Sequence, residues 1–162
     1  MPAPEEAELT AELPYRDPGA ALEWLASAFG FRTRMIVRGA DGAIVFAETG
    51  WGGRDVAVVP ELPQRQRSPA SIGGRNTQLV RLRTGEAIDI DALCARAQAC
   101  DAQVVYGPTT EFTGDRACTI ADLEGHLWTF SRRGAAPARD IPFGWTVEFP
   151  GSDPGAQTLS SS

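Results

Sequence analysis

The 162-residue chain predicts an α+β fold made of two tandem βαβββ modules. Three observations carry that prediction. Alternating apolar and polar residues open two corresponding strands, at Thr10 and at Thr77. Each strand is followed by a segment with apolar residues at i, i+3, i+4 and i+7, and then by three β-rich runs. Between the copies, residues 61–76 are rich in Pro, Gly, Ser and Arg and carry no apolar period, which marks a connector. A half-buried sheet with a single helix cannot cover both of its faces, so two such units should pack together.

The elements follow in order. Residues 1–7 read as a frayed end. "LTAELPYR" sets Leu9, Ala11, Leu13 and Tyr15 on one side of a strand, with Pro14 placing it near an edge or bulge. Asp17-Pro18 forms an N-cap and first helical turn, because the aspartate satisfies free amides and proline has none to satisfy. The helix should bury Leu22, Leu25, Ala26 and Phe29 and end at Gly30. Trp24, beside Leu25, belongs to the core or an interface. "RTRMIVRG", a turn at Ala40-Asp41-Gly42, "AIVFAET", a loop "GWGG" and "RDVAVVP" complete a module over residues 8–60.

The second module, residues 77–133, repeats the plan. "TQLVRLRT" is a strand, and Asp89 or Asp91 opens a helix that buries Ile90, Leu93, Cys94 and Ala97. "AQVVYGP", "DRACTIAD" and "HLWTFSR" are three more strands. From residue 134 the chain becomes an extension. Phe143, Trp145, Val147 and Phe149 alternate there, predicting an extra strand on the protein's own surface or an arm exchanged with a second chain; the Ser-rich end should be disordered.

Composition narrows the function. With 15 Lys+Arg against 21 Asp+Glu the net charge is −6, and the basic residues are scattered, so nucleic acid is not an expected partner. No apolar run reaches the length of a membrane span, and the acidic N-terminus lacks a signal core, so a cytoplasmic protein without membrane contact is expected. Cys94, Cys100 and Cys118 show no C-x-x-C spacing. Cys94 and Cys100 are rotated by about 600° along a helix, onto different faces, and the three read as small buried hydrophobes in a reducing compartment.

The stretches "PYRDPGAALEWLASAFGF", "RGADGAIVFAE", "SPASIGGRN" and "GDRACTIADLEGHLWTF" resemble the vicinal oxygen chelate superfamily, which includes glyoxalases, extradiol dioxygenases and bleomycin resistance proteins. The resemblance implies a cupped, mostly antiparallel sheet with the helices on its outer face. In metal-dependent members it also implies a divalent ion held by His, Gln or Glu from four strands. Counting from matched landmarks, those positions fall on Thr10, Thr77, Thr129, and either Ala57 or Val58. Neutral hydroxyls bind such ions weakly and aliphatic groups not at all, so no metal and no cofactor are expected. If Thr129 faces the cup, Leu127 and Ser131 do too, and His126, the only histidine, turns away with Trp128 and Phe130.

The same register turns Thr10, Glu12, Thr77, Leu79, Arg81 and Arg83 toward the cup. Its arginines would grip an anionic group, or else pair with Glu12 or Glu48. Trp51 and Phe112, placed in loops, would stack on a planar ligand, although Trp51 would serve equally against the C-terminal segment or a second subunit. The candidate ligand-binding set is Thr10, Glu12, Phe46, Glu48, Trp51, Thr77, Arg81, Phe112, Arg116 and Thr129. The expected function is metal-free binding of an aromatic or amphipathic small molecule, in a cup or dimer groove, by a homodimer of the bleomycin-resistance-like type. Two alternatives stand beside it. One is a lyase, isomerase or oxygenase, either with Glu12 or Glu48 as base and Arg81 or Arg116 holding an oxyanion, or with a divalent metal. The other is an assembly module with a vestigial cup.

Overall fold

The computed structural model describes residues 7–134, 143–147 and 159–160. Both predicted modules are there. The first runs β1 (Ala11–Tyr15), α1 (Pro18–Phe29), β2 (Arg32–Arg38), β3 (Ile44–Trp51) and β4 (Arg54–Pro60). The second runs β5 (Val80–Thr84), α2 (Ile90–Ala99), β6 (Gln103–Thr110), β7 (Arg116–Ala121) and β8 (Leu127–Arg132). The sheet orders, β1-β4-β3-β2 and β5-β8-β7-β6, are the same. In each, the first strand lies parallel to the last and the other pairs are antiparallel.

Both helices start as the sequence dictates. Asp17 Oδ1 accepts from the Ala20 amide and Asp89 Oδ1 from the Ala92 amide, each at 3.0 Å, which makes Asp89 rather than Asp91 the second cap. Gly30 ends α1 in the left-handed conformation, φ 83°. The buried face of α2 is Ile90, Leu93, Cys94 and Ala97 as expected. That of α1 is Ala21, Leu22, Leu25, Ala28 and Phe29, while Ala26 is exposed. The stripe sits to one side of the simple i, i+3, i+4 reading because α1 packs on its own sheet and on α2 at once: Trp24 Nε1 donates to the Cys100 carbonyl at 2.9 Å.

One core serves both modules. Phe29 lies 4.7 Å from Phe130 and 5.8 Å from Trp128, and Phe31 lies 5.3 Å from Trp128, measured between ring centres. The turn between β7 and β8 supplies a polar tie. The Glu124 carboxylate accepts from the Arg16 and Asp17 amides, at 2.9 and 3.1 Å, and from the Ser68 hydroxyl at 2.5 Å, placing negative charge at the start of α1, where the helix favours it. His126 Nε2 donates to the Pro14 carbonyl at 2.8 Å, and its ring lies 4.7 Å from that of Tyr15.

Thr10 and Thr77 do not open the strands. Strand β1 begins at Ala11, opposite Val56, and β5 begins at Val80, opposite Trp128. The Asn76 amide donates to the Gly125 carbonyl at 2.9 Å, holding the connector against the β7–β8 turn, and the chain joins the sheet only beyond it. In the extension, β9 (Thr146–Val147) pairs with β10 (Leu159–Ser160) as a short ribbon apart from the main sheets. The expected frayed end at residues 1–6, Phe149 and most of the Ser-rich end lie outside the described residues. No helix among the described residues is long and apolar enough to cross a membrane.

Candidate ligand-binding cleft

Among the described residues β1 pairs only with β4, and β5 only with β8, so β1 and β5 each present an unpaired strand edge. Residues 7–12, residues 78–85 and the β3–β4 hairpin at residues 50–56 together line an open cleft of about 1560 Å³. The hairpin closes in two residues, Gly52 and Gly53, at φ 57° and 79°, a pair of left-handed positions that a two-residue turn of this twist requires. Gly50 is glycine for another reason. A Cβ there would meet Arg34 Nε and Asp55 Oδ1 at 2.5 Å each, because that ion pair, 3.1 Å long, lies across it.

Strand register sorts the side chains. Leu13, Val58 and Ala47 form one row in the first sheet, and Val80, Trp128, Ile120 and Val104 a row in the second; both rows face the helices and the core. The opposite faces carry Glu12, Ala57, Glu48 and Met35, and Arg81, Thr129, Thr119 and Tyr106. The expected side of Thr129 and of His126 thus agrees with the structure. Register also makes Arg81 the counterpart of Glu12, and hence Leu79, two residues beyond Thr77, the counterpart of Thr10.

Thr10, Glu12, Trp51 and Arg81 come together on the cleft. Thr10 is exposed, and Glu12 accepts from Gln66 Nε2 at 2.9 Å. Trp51 is the last residue of β3 rather than a loop residue. Its Nε1 donates to the Phe29 carbonyl at 2.8 Å and its ring packs on Phe31 and Phe130, so it is a cleft wall anchored in the core. Arg81 is held by Glu111 through two hydrogen bonds, of 2.8 and 3.0 Å, which keep its guanidinium more firmly protonated than usual. Arg83 is likewise held by Asp115, at 2.5 and 2.6 Å. The arginine partners are thus Glu111 and Asp115, not Glu12 or Glu48, because the β6–β7 loop folds toward β5.

The other candidates lie elsewhere. Phe46 and Glu48 are half-buried on β3, away from the cleft lining, and Thr77 is exposed in the connector. Thr129 is buried, its hydroxyl 2.8 Å from that of Thr119. Phe112, on the β6–β7 loop, meets Trp145 edge-on at 5.6 Å. Arg116 binds Asp91 at 2.6 and 2.9 Å, which raises its affinity for its proton. Sequence reasoning did not single out Arg32, Arg34 and Arg54, which also line the cleft. The alternation Arg32-x-Arg34 and the position of Arg54 just past the Gly-Gly turn were the available signals.

The signature of the Glyoxalase/Bleomycin resistance protein/Dioxygenase superfamily matches residues 9–130. The chain belongs to that superfamily. An uncharacterized protein of Mycobacterium bovis is 28% identical over 140 residues, 84% of this chain and 87% of that protein, and one of Mycobacterium tuberculosis is 28% identical over the same length. Among solved structures, TioX from Micromonospora sp. ML1 is 33% identical with a TM-score of 0.61, covering 80% of this chain and 98% of that one. TnmS3, described as an antibiotic binding protein from Streptomyces sp. CB03234, is 19% identical with a TM-score of 0.61, covering 82% of this chain and all of that one. At that identity the likeness is one of fold.

This superfamily member's residues do not fit a divalent metal at the positions the family implies. Thr10 and Thr77 lie outside the strands, Thr129 is engaged with Thr119, Ala57 offers a methyl group, and Val58 faces the core. Among the described residues no three His, Cys, Asp or Glu side chains gather at one point. The nearby guanidinium of Arg81 would repel a cation rather than hold one.

Proposed function

We propose that this protein binds a small aromatic or amphipathic molecule without a metal, in the cleft bounded by β1, β5 and the β3–β4 hairpin. The observation that carries the reading is the pairing of an anchored indole wall, Trp51, with the apolar residues Leu79, Val80, Leu82 and Ile88 and with guanidiniums in the lining of one open cleft. Specificity in such a site comes from shape, aromatic surface and a few polar groups. A cleft of about 1560 Å³ exceeds the roughly 300–1,000 Å³ of drug-sized pockets, which suits a large ligand. TnmS3, of the same fold, is an antibiotic binding protein by its description.

The reading includes a homodimer in the cytoplasm. All seven residues of β2, an outer edge strand, are exposed, among them Met35, Ile36 and Val37, a surface that a second subunit would cover. The three cysteines are free thiols, as a reducing compartment keeps them. Isothermal titration against a panel of aromatic natural products tests the ligand reading. Saturable binding without turnover is the expected result, and uniform silence together with turnover of a substrate rejects it.

A further inference from the structure

We infer that the ligand of this cleft carries an oxyanion, a carboxylate or a group of the same geometry and charge, attached to its aromatic body. The inference rests on the binding reading above and narrows it. Arginines 32, 34, 54, 81 and 83 line the cleft, together with the acidic residues Glu8, Glu12 and Asp55.

The arginines divide into two groups. Arg34, Arg81 and Arg83 are each held by a carboxylate: Asp55, Glu111 and Asp115. Arg32 and Arg54 have neither an ion pair nor a side-chain hydrogen bond among the described residues. Their placement is specific. Arg54 is the cross-strand partner of Trp51 across the Gly52-Gly53 turn, and Arg32 is the partner of Gly50, the residue before Trp51. Two unpaired guanidiniums thus line the same cleft as Trp51, Arg54 on the face of the sheet that carries Trp51 and Arg32 on the opposite face. The two turn glycines have nothing within 4 Å of a Cβ position, which leaves the approach open.

All 15 of the protein's Lys+Arg residues are arginine. The planar guanidinium fork meets two oxygens of one oxyanion at once, which a lysine ammonium does not. A planar acid lying against Trp51 would present its oxyanion to an unpaired guanidinium without displacing any of the existing ion pairs.

Two fluorescent probes separate the anion from the arene. 1-Anilinonaphthalene-8-sulfonate and N-phenyl-1-naphthylamine share their rings and differ by one sulfonate. The sulfonate probe should bind saturably, more tightly than its uncharged parent, and more weakly at high salt. The double variant Arg32→Gln/Arg54→Gln should weaken it about fivefold, the scale of two exposed charge contacts, and leave the uncharged probe unchanged. The double variant Arg65→Gln/Arg75→Gln makes the same change in net charge at exposed sites outside the cleft and should change neither. Equal binding of both probes, or equal weakening by the two double variants, overturns the anion inference while leaving a binding cleft in place. If neither probe binds, the cleft reading itself fails and the inference with it. Melting curves of both variants confirm that each is folded.

Discussion

The Tyr15 hydroxyl, at the end of β1, donates to Asp122 Oδ2 at 2.5 Å, joining residues 107 positions apart. The same oxygen accepts from Trp128 Nε1 at 2.9 Å, and Oδ1 accepts from the amides of Glu124 and His126, at 3.0 and 2.9 Å. One buried carboxylate thus shapes the β7–β8 turn and fastens it to the first module. Replacing it leaves buried donors without partners, at about 1–3 kcal/mol each. Asp122→Ala should lower stability in urea by about 3 kcal/mol or more, and Tyr15→Phe, which removes one bond, by about 1 kcal/mol. A loss under about 0.5 kcal/mol for Asp122→Ala would show that the tie does not hold the modules together.

Tyr15 also sets an alkaline limit. Burial, and then the charge and hydrogen bond of Asp122, push its phenol well above the ordinary value of 10.0. The unfolded chain therefore gives up this proton first. The Tyr15 contribution to stability is full below about pH 10 and is lost as pH rises from there toward the folded value. In a Tyr106→Phe background, phenolate absorbance at 295 nm should appear only with unfolding. Ionisation of the native fold near pH 10 would contradict the burial.

The cysteines should divide by position. Cys94 and Cys118 face each other across the α2–β7 packing, and burial raises the Cys118 thiol far above the usual range. Cys100, at the end of α2, is half-buried. Mass spectrometry after timed alkylation should find Cys100 modified first and the other two protected until denaturant is added. Early labelling of Cys118 would mean that α2 opens locally from its sheet.

Trp51 allows its anchoring and its wall to be separated. Trp51→Phe keeps a ring against Phe31 and Phe130 but removes the bond to the Phe29 carbonyl, so stability should fall by about 1 kcal/mol. Trp51→Ala should cost about 3 kcal/mol or more and abolish binding of both probes. Probe affinity unchanged in Trp51→Ala would place the ligand elsewhere.

These residues show how far the sequence reaches. The order of elements, the first helix cap and the face of α2 were legible because each depends on neighbours in the chain, as Asp17 does with Ala20, and the second cap was narrowed to Asp89 or Asp91 in the same way. The side of His126 was legible from strand alternation once Thr129 was placed. The exposure of Ala26 was not, since it depends on how α1 meets α2 as well as its own sheet. The arginine pairings were not legible either. Glu111 and Asp115 stand 30 and 32 residues from Arg81 and Arg83, and only the folding of the β6–β7 loop toward β5 brings them there. The cleft is a still longer-range product, formed where residues 7–12 and 78–85 come together.

The most direct test of ligand binding without a metal is titration of the purified protein with 1-anilinonaphthalene-8-sulfonate, before and after exhaustive treatment with a chelator. The account predicts about one probe per chain with the same affinity in both samples. Binding that disappears on chelation and returns with one equivalent of a divalent ion would contradict it.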